Sequence, residues 1–259
     1  MRSDLSDFLV AACLFAGLVG CLELWFALGR RVRRRRGEPL DQLANIQGAT
    51  LGLLALMLGF SFALAAGRFS DRVHLIVEEA NAIGTAWLRC DMMPAAQREQ
   101  VRELLGRYVA ERIKFYDATV EETKLAALAE SEVLQGKMWT TVSGVAQATP
   151  ALANVLLPPF NEVFDLHSSR IAASRRHMPA MLLGLLLACS AVSVAAVGYG
   201  CGVAGKRNAV LTTALSFLIA GTLWAIIDMD HPRKGLIRVG QQPMLDLQRS
   251  LEKAPPAAP

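Results

Sequence analysis

The sequence contains few of the residues from which disulfide frameworks and metal sites are built. Its five cysteines include no CxxC pair, and an odd number of scattered cysteines argues against a disulfide framework. The histidines are far apart and lack the spacing that is usual for metal ligands. They are His74, His167, His177 and His231. We therefore predict no metal, no cofactor and no disulfide framework.

Sequence motifs of enzymes are absent as well. The chain has no GxSxG elbow, no phosphate-binding P-loop and no HExxH pair. These are the short signatures of many hydrolases, nucleotide-binding proteins and metalloproteases. We therefore expect no catalytic residues, and a protein that is not an enzyme.

Charged residues are nearly missing from four long apolar stretches, which only Glu23 interrupts. The stretches cover residues 8–28, 49–67, 179–203 and 210–227. Each is close to the ~20 residues that a helix needs to cross ~30 Å of hydrocarbon. Because apolar and polar residues do not alternate in them, we predict helices and not the strands of a barrel. The sequence thus predicts an all-α, polytopic membrane protein with four transmembrane helices, arranged two plus two.

The rest of the chain divides around these two pairs of spans. The first pair belongs to residues 1–67 and the second to residues 179–228. Between them, residues 68–178 are predicted to form a helical segment outside the membrane. Residues 229–259 contain a juxtamembrane motif and end in a Pro/Ala tail, which we expect to be disordered.

Four helices are predicted in the segment between the pairs. Apolar periodicity and the positions of prolines put them at about 69–89, 94–116, 120–146 and 158–177. The last is expected to be broken at its start by two consecutive prolines. The segment carries 13 Lys and Arg against 14 Asp and Glu. Since a nucleic-acid surface needs a basic excess, we expect no nucleic-acid partner.

The first of these helices continues the second span without a break and has two distinct sides. Its predicted buried stripe consists of apolar residues about 3.6 positions apart, namely Val73, Ile76, Val77, Ala80, Ile83 and Trp87. The opposite side is polar and includes Glu78, Asn81 and Thr85.

Small residues recur four positions apart on the second and third spans. On the second span they are Gly48, Gly52, Ala55, Gly59, Ala63 and Gly67. Such faces let helix backbones approach closely in lipid. Tight packing within one four-helix bundle is the first interpretation, and a subunit contact or a narrow pore lining is the alternative. We also expect a homo-oligomer that is held partly by this face of the second span.

Basic residues suggest an orientation. Six arginines lie between Arg30 and Arg36, directly after the first span, and Lys206 and Arg207 lie between the third and fourth. By the positive-inside rule, these two short loops are cytoplasmic and the segment at 68–178 is outside. An arginine cluster next to a span also favours contact with anionic lipid.

Three polar clusters lie next to points where the chain enters the membrane, and they supply the candidate pore or vestibule residues. They are Glu78, Asn81 and Thr85; Asn161, Asp165 and His167; and Asp228, Asp230 and Arg233. His167 lies on an apolar stripe, so a hydrogen-bonded core histidine is the simpler interpretation. For the third cluster, interfacial charge that ends a helix competes with a cation or carboxylate–arginine site.

The same clusters resemble a known family. The segments EANAIGTAWLR (79–89), NEVFDLH (161–167) and DHPRKGLIRVGQQP (230–243) resemble the bestrophin-like family of bacterial membrane proteins, and the resemblance covers nearly the whole chain. More distantly, the sequence resembles bestrophins, which are pentameric anion channels with four membrane helices. That relation implies an oligomeric anion channel by analogy of fold. It also implies a cytoplasmic middle segment, opposite to the arginine-based orientation.

Together these features predict an integral protein of the plasma (inner) membrane that acts as an oligomeric channel or transport pore for small anions. The expected partners are the lipid bilayer, other copies of the chain and the anions themselves. The alternative is a membrane-anchored structural or signalling module whose helical segment binds a partner. A channel needs its polar stripes on a shared aqueous path, whereas a scaffold does not.

Overall fold

The computed structural model describes residues 2–36, 42–118, 120–231 and 235–253. In these residues the secondary structure is entirely helical, which confirms the predicted all-α class. The α-helices are α1 (Arg2–Arg36), α2 (Gln42–Arg89), α3 (Ala95–Asp117), α4 (Glu121–Ala148), α5 (Ala153–Arg175), α6 (Ala180–Ala204), α7 (Ala209–Asp230) and α8 (Gln242–Lys253). The predicted Pro/Ala tail, residues 254–259, lies outside the described residues.

Four of the helical stretches are long and apolar enough to cross a membrane, as predicted. They include α1, the first half of α2, α6 and α7. Helix α2 has 48 residues, which corresponds to about 70 Å at 1.5 Å per residue. This is more than twice the ~30 Å hydrocarbon thickness, so α2 is longer than a single crossing requires.

The chain folds into two compact units. The first comprises Met1–Phe69 and His177–Arg238 and contains the four spans. Its core is formed by apolar side chains of α1, α2, α6 and α7, among them Leu22, Leu54, Leu186 and Leu223. Large apolar side chains such as Phe60 and Phe217 remain exposed on the chain, as expected for helices surrounded by lipid.

Helices α1 and α6 approach each other closely through glycine. A Cβ placed on Gly198 would overlap the carbonyl oxygen of Leu22, and one on Gly202 would overlap that of Phe26. Gly29 of α1 is equally close to the backbone of α6 at Tyr199. The small residues in this part of the third span therefore pack within the subunit, as the first interpretation predicted.

The small-residue face of the second span is not covered by the other described helices of the chain. Every member of its small-residue face is exposed on the chain. Among the described residues, no heavy atom lies within 4 Å of a Cβ placed on Gly48, Gly52, Gly59 or Gly67. The prediction that this face packs within the four-helix bundle is therefore wrong. Leu54, Ser61 and Ala65, which lie on another side of the helix, supply the buried contacts instead.

The second unit comprises Ser70–Arg176 and Val239–Pro259. It contains the second half of α2 together with α3, α4, α5 and α8. A single apolar core joins these helices, built around residues such as Ile83, Leu105, Leu134, Phe160 and Met244. Helix α8 contributes Met244, Leu247 and Leu251 to this core.

Two predictions about these helices need correction. Helix α5 is not broken at Pro158 and Pro159, because it begins at Ala153 and includes both. The two prolines remove only two backbone donors near the start of the helix, where Leu156 and Phe160 are fully buried and hold the turn. On α2, Val73 and Val77 are exposed, although both were predicted to lie on the buried stripe.

The buried stripe of α2 is rotated from the predicted one and runs through Ile76, Glu79, Ile83 and Ala86. The rotation buries the carboxylate of Glu79 on a side of the helix where only apolar side chains were predicted.

Candidate functional site

A buried cluster of charged side chains lies in the core of the second unit. Glu79 of α2 is fully buried and contacts two arginines. Arg112 of α3 donates from Nε to Oε1 of Glu79 over 2.8 Å and from Nη2 to Oε2 over 3.3 Å. Arg170 of α5 donates from Nη1 to Oε2. One carboxylate thus ties together three helices.

Neutral groups complete this network. The hydroxyl group of Tyr108 donates to Glu79 Oε1 over 2.9 Å and lies 3.0 Å from Nδ1 of His167. Because Tyr108 donates its hydroxyl proton to Glu79, the hydroxyl oxygen of Tyr108 accepts the Nδ1–H of His167. Arg170 also donates from Nη2 to Oε1 of Gln241 over 3.0 Å. The chain leading into α8 therefore joins the same network.

The charges in the network determine its protonation. Burial by itself raises the pKa of a carboxyl group, but Arg112 and Arg170 outweigh that effect, so the pKa of Glu79 lies below its ordinary value. Burial, reinforced by Arg112, lowers the pKa of His167 to about 4, although Glu79 opposes the shift. At neutral pH the network therefore contains one carboxylate, two guanidinium groups and a neutral imidazole.

This network has the features of a structural tie. Its side chains are directed at one another, and the carboxylate is fully used by Arg112, Arg170 and Tyr108. The ring of Tyr116 faces the guanidinium of Arg170, whose Cζ lies 4.1 Å from the ring centroid. We interpret the network as the element that holds α2, α3 and α5 in one arrangement.

The first group of candidate residues lies on the outer side of α2, next to this network. Asn81 and Thr85 are exposed, and Glu78 is half-buried with its Oε1 3.2 Å from Nδ1 of His74. All three are therefore accessible on the chain, whereas the neighbouring Glu79 is not. Their assignment to a vestibule stays a prediction.

The second group divides between the surface and the core. Asn161 and Asp165 are exposed on α5, while His167 is buried and hydrogen bonded to Tyr108. His167 is thus the core histidine of the simpler interpretation. Only this member of the group is part of the charged network, because it lies on the inner side of α5.

The third group lies in the first unit and is used to hold a turn. Asp228 accepts hydrogen bonds from the backbone N–H groups of Leu236 and Ile237, at 3.2 and 2.8 Å. Gly235 has a φ of +121°, and a Cβ there would overlap the Asp228 carboxylate. Asp228 therefore holds the backbone at residues 235–237. Arg233 lies outside the described residues.

Asp230 is also buried, and it joins the two ends of the second pair of spans. Its carboxylate accepts the backbone N–H of Met178, just before α6, at 2.9 and 3.0 Å. Arg68 lies 3.6 Å from the same carboxylate. Both aspartates therefore serve the local backbone.

Sequence reasoning missed the main members of the charged network: Glu79, Tyr108, Arg112, Arg170 and Gln241. A signal for them was present. Glu79 and Gln241 lie in the segments that carry the family resemblance, and Tyr108 and Arg112 are four positions apart on the buried side of α3. Charged residues on apolar stripes of separate helices indicate that they meet, because buried charges need partners.

Comparison with known proteins agrees with these observations. The family described as Bestrophin-like domain matches residues 13–244. A crystal structure of a bacterial bestrophin homologue from Klebsiella pneumoniae, carrying a point mutation, has a similar fold with a TM-score of 0.59. The similarity covers 90% of this chain and 96% of that chain, at 12% sequence identity. No curated protein matches the sequence. At this identity the structural similarity concerns the fold alone.

Proposed function

This chain belongs to the bestrophin-like family, and on that basis we propose that it forms an oligomeric ion channel in the plasma (inner) membrane, with small anions as the permeant species. The observation that carries the proposal is the open small-residue face of the second span. A channel needs a surface that copies of the chain can share around a common path.

The small-residue face of the second span is suited to close contact between copies of the chain. The face running from Gly48 to Gly67 has no side chain larger than a methyl group at its six defining positions. Close backbone approach in lipid depends on such residues, because helices gain packing contacts only where they come near. Since this chain leaves the face uncovered, other copies of the chain are the natural occupants.

The chemistry of the span suits anions better than cations. Residues 49–67 contain no Asp or Glu, whereas rings of carboxylates are the usual device of cation pores. The span therefore presents no fixed negative charge to a small anion. The resemblance to bestrophins favours the same ion class by analogy of fold.

An ion-flux measurement on purified protein in liposomes tests the proposal. Vesicles with a chloride-sensitive dye inside are given a potassium gradient and valinomycin, so that chloride moves only if the protein conducts it. We expect chloride entry that depends on the protein, and no sodium entry in the matched cation assay. Vesicles with denatured protein are the control. Absence of chloride flux, from protein shown to be folded and oligomeric, contradicts the proposal.

A second function is favoured by a separate observation on the second unit. Several large apolar side chains are exposed there, and side chains of this kind mark an interaction site where they form one patch. They are Val77, Leu88, Leu125, Val133 and Trp139. An oligomer that conducts no ion would favour a membrane-anchored module that binds a partner through this surface.

A further inference from the structure

Two histidines and an aspartate that are distant in the sequence meet in the first unit. His177 lies just before α6, Asp230 is the last residue of α7, and His231 follows it. One potential ligand atom from each lies within 4.8 Å of those of the other two. The two imidazole rings are stacked, with centroids 5.3 Å apart and an interplanar angle of 24°.

Backbone carbonyl groups determine which nitrogen of each ring is available. Nδ1 of His177 lies 3.1 Å from the carbonyl oxygen of Asp230. Nδ1 of His231 lies 3.0 Å from that of Ile227. Because a carbonyl oxygen only accepts, each Nδ1 carries the proton, and each Nε2 keeps its lone pair. Histidines that bind metals typically donate their other ring N–H to a carbonyl or carboxylate oxygen in this way.

Asp230 is equally restrained. The backbone N–H of Met178 holds both of its oxygens, and the carboxylate is buried while the two histidines are exposed. A carboxylate has about four lone-pair positions, so these hydrogen bonds leave room for a metal bond. Among the residues that the structure describes, Arg68 is an unfavourable neighbour, because its positive charge lies 3.6 Å from Asp230.

We propose that His177, Asp230 and His231 bind a divalent transition-metal ion of the zinc class. Zinc accepts this mixture of imidazole nitrogen and carboxylate oxygen, whereas calcium and magnesium prefer oxygen ligands. Ligand atoms around tetrahedral zinc are ~3.3 Å apart at bond lengths of ~2.0–2.1 Å. In the present arrangement the potential ligand atoms lie within 4.8 Å of one another, so the three side chains must move closer together when the ion binds. Three protein ligands leave a fourth position for water or an anion.

The site would join the start of α6 to the end of α7. It reinforces the contact that Asp230 already makes with Met178. The inference does not depend on ion conduction, since the ligands belong to one chain and one unit. Binding is therefore measured independently of flux.

The test uses the full chain, purified in detergent, stripped of metal with a chelator and then freed of the chelator. Calorimetric titration with Zn²⁺ is expected to give one ion per chain. Co²⁺ is expected to give the visible absorption bands of a tetrahedral site, which Zn²⁺ then abolishes. Failure of the wild-type chain to bind either ion overturns the proposal.

Variants identify the ligands. H177A and H231A should each weaken Zn²⁺ binding by more than the ~10–100-fold that loss of an outer-shell partner costs. The matched control is H74A, which removes an exposed histidine that contacts Glu78 in the second unit. Unchanged Zn²⁺ affinity in a folded H177A/H231A double variant, judged by its melting temperature without metal, also overturns the proposal.

Arg68 provides a readout that a purely structural role of these histidines would not produce. R68Q removes the positive charge beside Asp230, so it should strengthen Zn²⁺ binding. The same change should leave the stoichiometry at one ion per chain. Weaker binding in folded R68Q would contradict the assignment of Asp230 as a ligand.

Discussion

Arg112 donates to Glu79 over 2.8 Å at a place where neither side chain has any exposed surface. Arg170 makes a second ion pair with the same carboxylate. Two guanidinium groups are thus buried around one negative charge. A buried ion pair adds little stability compared with a well-packed apolar pair, but removing one partner leaves a charge without compensation. The network is therefore most informative when one member is neutralised.

Replacing Glu79 with Gln should destabilise the protein strongly. The amide keeps the size of the side chain but leaves both arginines buried without a counter-charge, which costs about 3–5 kcal/mol. Thermal unfolding in detergent measures the effect. The matched control is E78Q, whose side chain is half-buried beside His74, and a surface change of this kind is expected to stay within ~0.5 kcal/mol. Equal melting temperatures for the two variants would contradict a structural role for the network.

Stability should fall as the pH drops from about 6.5 to about 4, because of His167. The pKa of His167 is about 4 in the folded chain. In the unfolded chain it has the ordinary histidine value of 6.5. Between these values the unfolded chain binds more protons, so protonation favours unfolding. The full effect is about 3 kcal/mol at ~1.4 kcal/mol per pKa unit.

The comparison for His167 is the slope of melting temperature against pH between 7 and 5 in wild type and H167Q. The groups that face His167 are Tyr108, Glu79, Arg112 and Arg170. Glu79 loses its contribution only below its ordinary pKa of 4.5, which is outside this range. The variant should have a shallower slope, and parallel slopes would show that His167 is not the titrating group.

Replacing Gly59 with Leu should weaken assembly while the single chain still folds. The position has open space around it on the chain, so the larger side chain meets nothing until another copy approaches. Native mass spectrometry in mild detergent measures the oligomer. G184L, at an equally open glycine of the third span, is the control. A monomeric wild type, or equal loss in both variants, would count against the second span as the contact.

Asn81→Leu should change ion conductance or selectivity and leave the melting temperature near that of wild type. Asn81 is exposed on the same side of α2 as Thr85, so its side chain contributes little packing and is free to face an aqueous path. Q100L, at an exposed position of α3, is the control for a generic apolar change. Chloride flux identical to wild type in folded N81L would remove this side of α2 from the conduction path.

Orientation is tested by labelling one cysteine in a background without the native ones. The arginine cluster at 30–36 predicts that Q97C reacts with an impermeant maleimide added to intact cells. A cysteine in place of Arg33 should react only after permeabilisation. The opposite pattern would put residues 68–178 in the cytoplasm, as the resemblance to bestrophins implies.

Much of the fold could be predicted from the sequence. The four spans follow from local constraints, since a helix in lipid needs ~20 apolar residues and excludes charge. The start of α3 after Pro94 follows from local chemistry too, because proline favours the first turn of a helix. Periodicity alone did not determine the rotation of α2, and Val73 and Val77 were assigned to the wrong side. Both sides of that helix contain apolar residues, so packing partners decide which is buried.

The candidate sites depended on tertiary structure. The sequence drew attention to Glu78, but Glu79 is the carboxylate that meets two arginines, because α3 and α5 bring their charges to that side of α2. His177 and Asp230 are 53 positions apart, which no spacing rule for metal ligands covers, yet the start of α6 and the end of α7 bring them together. Local sequence thus determined where the chain is apolar and helical. Only packing between distant helices decided which polar groups lose their water and must find one another.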